Sequence, residues 1–193
     1  MSPALNRPVR VAGASGGFSD RVHAMSRIAK NEEVDVIVGD WLSEMTMTIH
    51  GSGKQRTLQD LKSRSKTFAE LPLEEQIATG MFAENFMDCF EPAIDDVARK
   101  GIKIAVNAGA SDTEVLAKIV REKGHELKVA WIEGDEQTEN VRRLIREGET
   151  FESLMHGRKI QDWEQEIVCA QCYLGGLGIA GACRRSISVV RGG

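Results

Sequence analysis

Four short runs along the chain, Val9 to Ala12, Val34 to Val38, Ile102 to Val106 and Val129 to Ile132, are mostly β-branched and do not alternate with polar residues. Runs of that kind read as strands buried on both faces of a parallel sheet. Each ends in Gly, Asp, Asn or Glu, and a Gly-rich stretch after Val168 gives a fainter fifth repeat. In open parallel sheets ligands lie beyond the carboxyl ends of the strands. Ser15, Asp40, Asn107 and Asp135 are therefore expected to face a common crevice.

Between the runs the apolar spacing turns helical. Val22, Met25, Ile28 and Ala29 predict a helix over 20–30 with Ser19 or Asp20 as its cap; Val115, Leu116, Ile119 and Val120 predict another between Asp112 and Gly124. Val141, Leu144 and Ile145 predict a third over 136–147, ended by Gly148. Residues 74–100 suit one helix or two in succession, with Pro92 a break or a first-turn residue. The segment Trp41 to Gly51 has no clean period and starts as a helix or an irregular loop. Residues 54–66, polar and basic, read as a solvated excursion. A short helix is expected around Phe151–His156, a Gly-rich helix after Val168, and an edge strand from RRSISVVRGG. The fold class is α/β: a three-layer, mainly parallel sheet with helices on both faces.

With 193 residues, 41% hydrophobic and 28% charged, the chain suits one globular domain. A net charge of −4 gives no reason to invoke nucleic acid, and no apolar stretch has membrane length. A cytoplasmic location and a small-molecule partner are the expectation, and association of identical chains is allowed for. Cys89, Cys169, Cys172 and Cys183 are expected to stay reduced. The CAQC pair has redox or zinc spacing but no second pair to complete a tetrahedral site, so no residue is assigned to a metal.

The loop Gly13-Ala14-Ser15-Gly16-Gly17 fits two chemistries. Its amides around Gly16 and Gly17 could cradle a phosphate or carboxylate. It also spells G-x-S-x-G, a nucleophile elbow in which Ser15 would need His125 or His156 as base. Dinucleotide spacing is absent. Among the acidic strand ends, Asp40, Glu44 and Asp135 are the candidate acid and base groups, with Glu133 and Glu136 beside them; converging carboxylates could also hold a divalent cation. Asn107 is placed to hold a carbonyl oxygen, and Thr46, Thr48 and His50 to enter the same crevice.

The segments GASGGFSDR, VDVIVGDWLSEMTM, GIKIAVNAGASDTEVLAK, KVAWIEGDE, FESLMHG and CAQCYLGGLGIA, in that order, resemble the N-terminal domain of the acyclic terpene utilisation protein A (AtuA-like) family, in a form that looks fungal. The resemblance covers residues 8–182, after a tail of 1–7. It implies an association with breakdown of branched acyclic terpenoids such as citronellol and geraniol through acyl-CoA intermediates. The positions the family shares fall on Ser15, Gly16, Asp20, Gly39, Asp40, Glu44, Thr46, Asn107, Gly109, Glu133, Gly134 and Asp135. Residues 183–193 depart from the family's usual continuation, which predicts a shortened chain and an incomplete domain. The leading expectation is a lyase or hydratase step on an acyl-CoA or hydroxy-acid intermediate, with no cofactor assigned. A non-catalytic ligand-binding module and a Ser15 hydrolase are the alternatives.

Overall fold

The computed structural model describes residues 7–17, 20–125, 127–184 and 188–192. Five parallel strands, β1 (Val11–Ser15), β2 (Val36–Gly39), β3 (Lys103–Ala110), β4 (Val129–Ile132) and β5 (Ser188–Gly192), lie in the order β1-β2-β3-β5-β4. The steps from β1 through β2 and β3 to β4 all run the same way across the sheet, so right-handed crossovers place their helices on one face. There α1 (Ala24–Asn31) packs on β1, α4 (Asn85–Phe90) and α5 (Ile94–Lys100), while α6 (Thr113–Lys123) covers β3 and β4. The step from β4 back to β5 reverses, and α8 (Leu177–Cys183) accordingly lies on the opposite face, with Gly178 against the Ile132 side chain.

The core is concentrated on the first face. Ile104, Val106 and Ala108 of β3 point into it and are buried, whereas Lys103, Ala105 and Asn107 on the other side are half-buried. Trp41 meets Phe86 edge-on at 5.2 Å and Phe86 stacks on Phe90 at 5.3 Å. The expectation of strands buried on both faces holds only in part: α8 is short, and Val11 and Val38 are exposed on the second face.

The largest correction concerns residues 54–66, which belong mostly to a 20-residue helix, α2 (Glu44–Ser63). Its buried face runs through Thr46, Met47, Gly51, Gly53 and Leu61. A Cβ at Gly51 would stand 3.0 Å from the Cys169 Cβ, and one at Gly53 2.4 Å from the Met81 sulfur. The helix thus packs through missing side chains, which leave no apolar period to read. Residues 74–100 form three short helices, α3 (Leu73–Thr79), α4 and α5, with Pro92 in a 3-10 turn at Glu91–Ala93. Around Phe151–His156 there is no helix; a turn closed by a Glu152–Lys159 bridge stands there. After β4 comes α7 (Thr138–Arg146). The final strand is interior, between β3 and β4, and is not an edge.

Candidate functional site

The register of the first three strands brings the carboxyl-end residues side by side. Ser15 pairs with Gly39, and Gly39 with Val106, so Asp40 and Asn107 each stand one residue past paired positions. The Asp40 amide donates to the Ser15 carbonyl at 3.1 Å, which fixes the β1 and β2 ends together. The Asn107 side chain then bridges to the β2 end: its Nδ2 donates to Asp40 Oδ1 at 2.6 Å, and its Oδ1 accepts from the Trp41 amide at 2.7 Å. Leu42 N–H adds a weaker contact to the same Asp40 oxygen at 3.3 Å. Asp40 is held by one carboxylate oxygen, while Oδ2 has no partner among the described residues.

This carboxylate borders a crevice of about 620 Å³, within the size range of small-molecule sites. Leu42, Met47 and Thr48 form one wall, and Cys169, Gln171, Cys172 and Tyr173 the other. Glu44, in the first turn of α2, stands at the same crevice, with the Tyr173 hydroxyl 3.4 Å from its Oε1. Burial and the nearby Glu136 carboxylate push the Cys169 thiol above its ordinary pKa, so it is not a thiolate nucleophile at neutral pH. Among the described residues the four cysteines are free, and no three His, Cys, Asp or Glu side chains gather into a metal site.

The remaining expected site residues sort by geometry. Thr46 is buried in a capping box with Ser43 at the start of α2 and does not line the crevice. Asn107 lines the crevice and spends its Oδ1 on Trp41 and one N–H on Asp40, which makes it a positioning residue for Asp40 and leaves one N–H for the expected contact to a carbonyl. Asp20 does not cap α1, whose cap position is His23; its carboxylate turns back to the Ser15 hydroxyl at 2.9 Å and the Gly16 amide at 3.4 Å. An acidic side chain of the loop itself thus stands at the amide where the sequence suggests an anion; Ser19, the other expected cap, lies outside the described residues. Gly17 meets the Ser15 hydroxyl and its carbonyl accepts the Asp20 amide at 3.4 Å, and Gly109, buried in β3, accepts the Asp112 amide.

Ser15 has no imidazole beside it. Its hydroxyl faces the Gly17 carbonyl at 2.6 Å and the Asp20 carboxylate. His125 follows α6 at the amino ends of the strands, across the sheet from Ser15, and His156 sits in the 153–158 turn, accepting from the Arg158 amide. A fluorophosphonate probe is therefore expected to leave Ser15 unlabelled by intact-mass spectrometry; stoichiometric labelling there would restore the hydrolase reading.

Glu133, Gly134 and Asp135 line a different crevice, about 490 Å³, with Asp112, Thr113 and Lys118 at the start of α6. β2 and β4 are separated by β3 and β5, three strand spacings or roughly 14 Å, so their loops do not converge. The segment 169–173 runs between the two crevices: Cys172 N–H donates to the Asp135 carbonyl at 2.8 Å while its residue lines the Asp40 side.

Asp112 bounds the helix that the sequence predicts up to Gly124. It occupies the cap position of α6, yet its side chain makes no capping bond; it is buried, ion-paired with Lys54 and accepts the Met81 amide at 2.8 Å. Lys54 also lies 3.5 Å over the Phe68 ring. Burial pushes the Asp112 carboxyl up, with Lys54 opposing it, and burial pushes the His50 imidazole down against Glu84 and Asp112. His50 therefore belongs with this buried pair on α2 and not with the Asp40 crevice. No pattern in sequence marks Lys54 as Asp112's partner, because the two lie on separate elements.

Fold and site together define a parallel α/β protein whose strand-end loops form a substrate-sized crevice around one oriented carboxylate. A family model described as acyclic terpene utilisation family protein AtuA matches residues 9–193, and the chain belongs to that family. No curated protein and no solved structure matches it. Among the described residues no helix is long and apolar enough to cross a membrane.

Proposed function

We propose that the chain serves acyclic terpene utilisation in the cytoplasm by binding a branched, oxygenated acyclic intermediate in the Asp40 crevice and moving a proton there. The reaction class is a lyase or hydratase step on an acyl-CoA or hydroxy-acid type of substrate. The observation that supports this is the one-sided hold on Asp40: Oδ1 takes Asn107 and Leu42, which leaves Oδ2 as the oxygen a substrate C–H or O–H would meet. Fixing one carboxylate oxygen sets the direction of the other without adding a second charge. Across the crevice the Tyr173 hydroxyl pairs with Glu44, and we assign this pair to giving a leaving hydroxyl its proton.

The test is proton exchange at the carbon next to a thioester carbonyl, followed by NMR in D2O with a branched acyl thioester. Asp40→Asn, nearly isosteric and on an exposed residue, is expected to slow exchange about 100-fold, within the range for loss of a positioned base, with the unfolding midpoint unchanged. Unchanged exchange in the variant would remove Asp40 from the chemistry. Binding without exchange in the native chain would favour the non-catalytic binding module.

A further inference from the structure

We infer that the Asp40 crevice admits only an uncharged oxygenated end of its substrate, a hydroxyl or a carbonyl, and rejects a free carboxylate or phosphate. The inference rests on the reading of this crevice as the substrate site, and it narrows the choice left there. Its first support is the charge of the walls. The described residues that line the crevice include Asp40 and Glu44 but no Lys, Arg or His. An incoming anion would meet two exposed carboxylates with no cation among the described lining residues to offset them, a repulsion felt most at low salt.

The second support is that several backbone donors around Asp40 are already engaged within the protein. Strand ends and helix starts of this topology normally hold anions through free N–H groups. Here the Trp41 amide is given to Asn107 and the Leu42 amide to Asp40, at 2.7 and 3.3 Å. The Ser43 amide goes to Thr46 Oγ1 at 2.7 Å, and the Thr46 amide returns to Ser43 Oγ at 3.3 Å, closing the start of α2. On the neighbouring β1 loop, Gly16 faces the carboxylate of Asp20. What faces a ligand includes Asp40 Oδ2, the Glu44 carboxylate, two thiols, the Tyr173 and Ser43 hydroxyls and the second N–H of Asn107, beside the apolar Leu42 and Met47, and no cationic side chain among the described lining residues. Such a surface accepts a hydrogen bond from an alcohol and buries a branched hydrocarbon, but it has nothing to neutralise an acid.

Two sources supply an uncharged end, a free alcohol and a thioester whose nucleotide stays outside. Binding would be measured by ligand-observed NMR at pH 8 and low salt, with 3,7-dimethyloctan-1-ol, 3,7-dimethyloctanoate, and the N-acetylcysteamine and CoA thioesters of that acid. The alcohol or the thioesters are expected to bind at least about tenfold more tightly than the carboxylate. In the Asp40→Asn/Glu44→Gln double variant, which removes both negative charges, the carboxylate is expected to gain about tenfold relative to the uncharged ligands. Binding by the alcohol alone identifies a hydroxyl end; equal binding by both thioesters identifies a carbonyl end. Carboxylate binding equal to that of the alcohol, or binding by the CoA thioester and not its short analogue, overturns the inference, as does absence of binding by all four. Proton exchange that persists alongside carboxylate binding would overturn the inference while leaving Asp40's role intact.

Discussion

Replacing Lys54 by methionine is expected to destabilise the fold by about 3–5 kcal/mol at pH 8, because removing one member of a buried ion pair strands the other. For a chain of this size that lowers the unfolding midpoint by on the order of 10 °C. The Lys54 and Asp112 side chains are 19% and 6% exposed, so water cannot take the place of the lost partner. The effect should depend on pH with a definite sign. Burial raises the Asp112 carboxyl above its ordinary value in the folded state. A group shifted that way stabilises fully below its unfolded value and loses that contribution as pH rises through the folded one. Without Lys54 to oppose the rise, the folded value climbs further and the loss extends towards neutrality. The gap between native and variant midpoints should therefore be smaller at pH 5 than at pH 8, measured by thermal unfolding at both. Adding Asp112→Asn to the Lys54 variant removes the stranded charge and should recover most of the loss; a pH-independent deficit would show that Lys54 acts through packing on Phe68 alone.

The second large effect is expected at Gly39→Ala. A Cβ there would stand 2.1 Å from Trp41 Cζ3 and 2.8 Å from Cη2. The ring cannot give way easily, since Trp41 is 1% exposed and wedged against Phe86. Overpacking of this kind costs about 3 kcal/mol. Because Gly39 pairs with both Ser15 and Val106 and precedes Asp40, the shift should also reach the crevice. Gly13→Ala is the matched control, for a Cβ at Gly13 meets nothing within 4 Å. Urea unfolding of the two variants should separate them clearly; equal midpoints would mean that β2 adjusts its path around the tryptophan.

These two positions also show where sequence reading succeeds and stops. Gly13 and Gly39 both end apolar runs and look alike on paper; only the returning Trp41 ring distinguishes them. Asp40 and Asn107 could be placed beside each other because parallel strands put all carboxyl ends on one edge, a property of direction alone. That they bind each other, so that Asn107 orients Asp40, depends on side-chain geometry no spacing encodes. Asp135 was grouped with them on the same directional logic, but strand direction does not give strand order. Inserting β5 moves its loop to a second crevice. The continuation of α2 through 54–63 is hidden for the opposite reason: the helix makes close contacts where side chains are missing, at Gly51 and Gly53, and periodicity counts only what is present.

The position of β5 also orders the assembly of the molecule in time. Among the described residues β4 pairs with β5 alone, and β5 lies more than fifty residues downstream, next to β3 on its other side. During synthesis β1, β2 and β3 can close on one another as soon as residue 110 has emerged and α6 can dock on β3, while β4 must wait beside an open edge of β3. Until the last strand slots in, that edge is the place where a nascent chain would meet chaperones or a neighbouring copy. The Asp40 crevice, whose outer wall is residues 169–173, is accordingly completed late, by the same stretch of chain that closes the sheet.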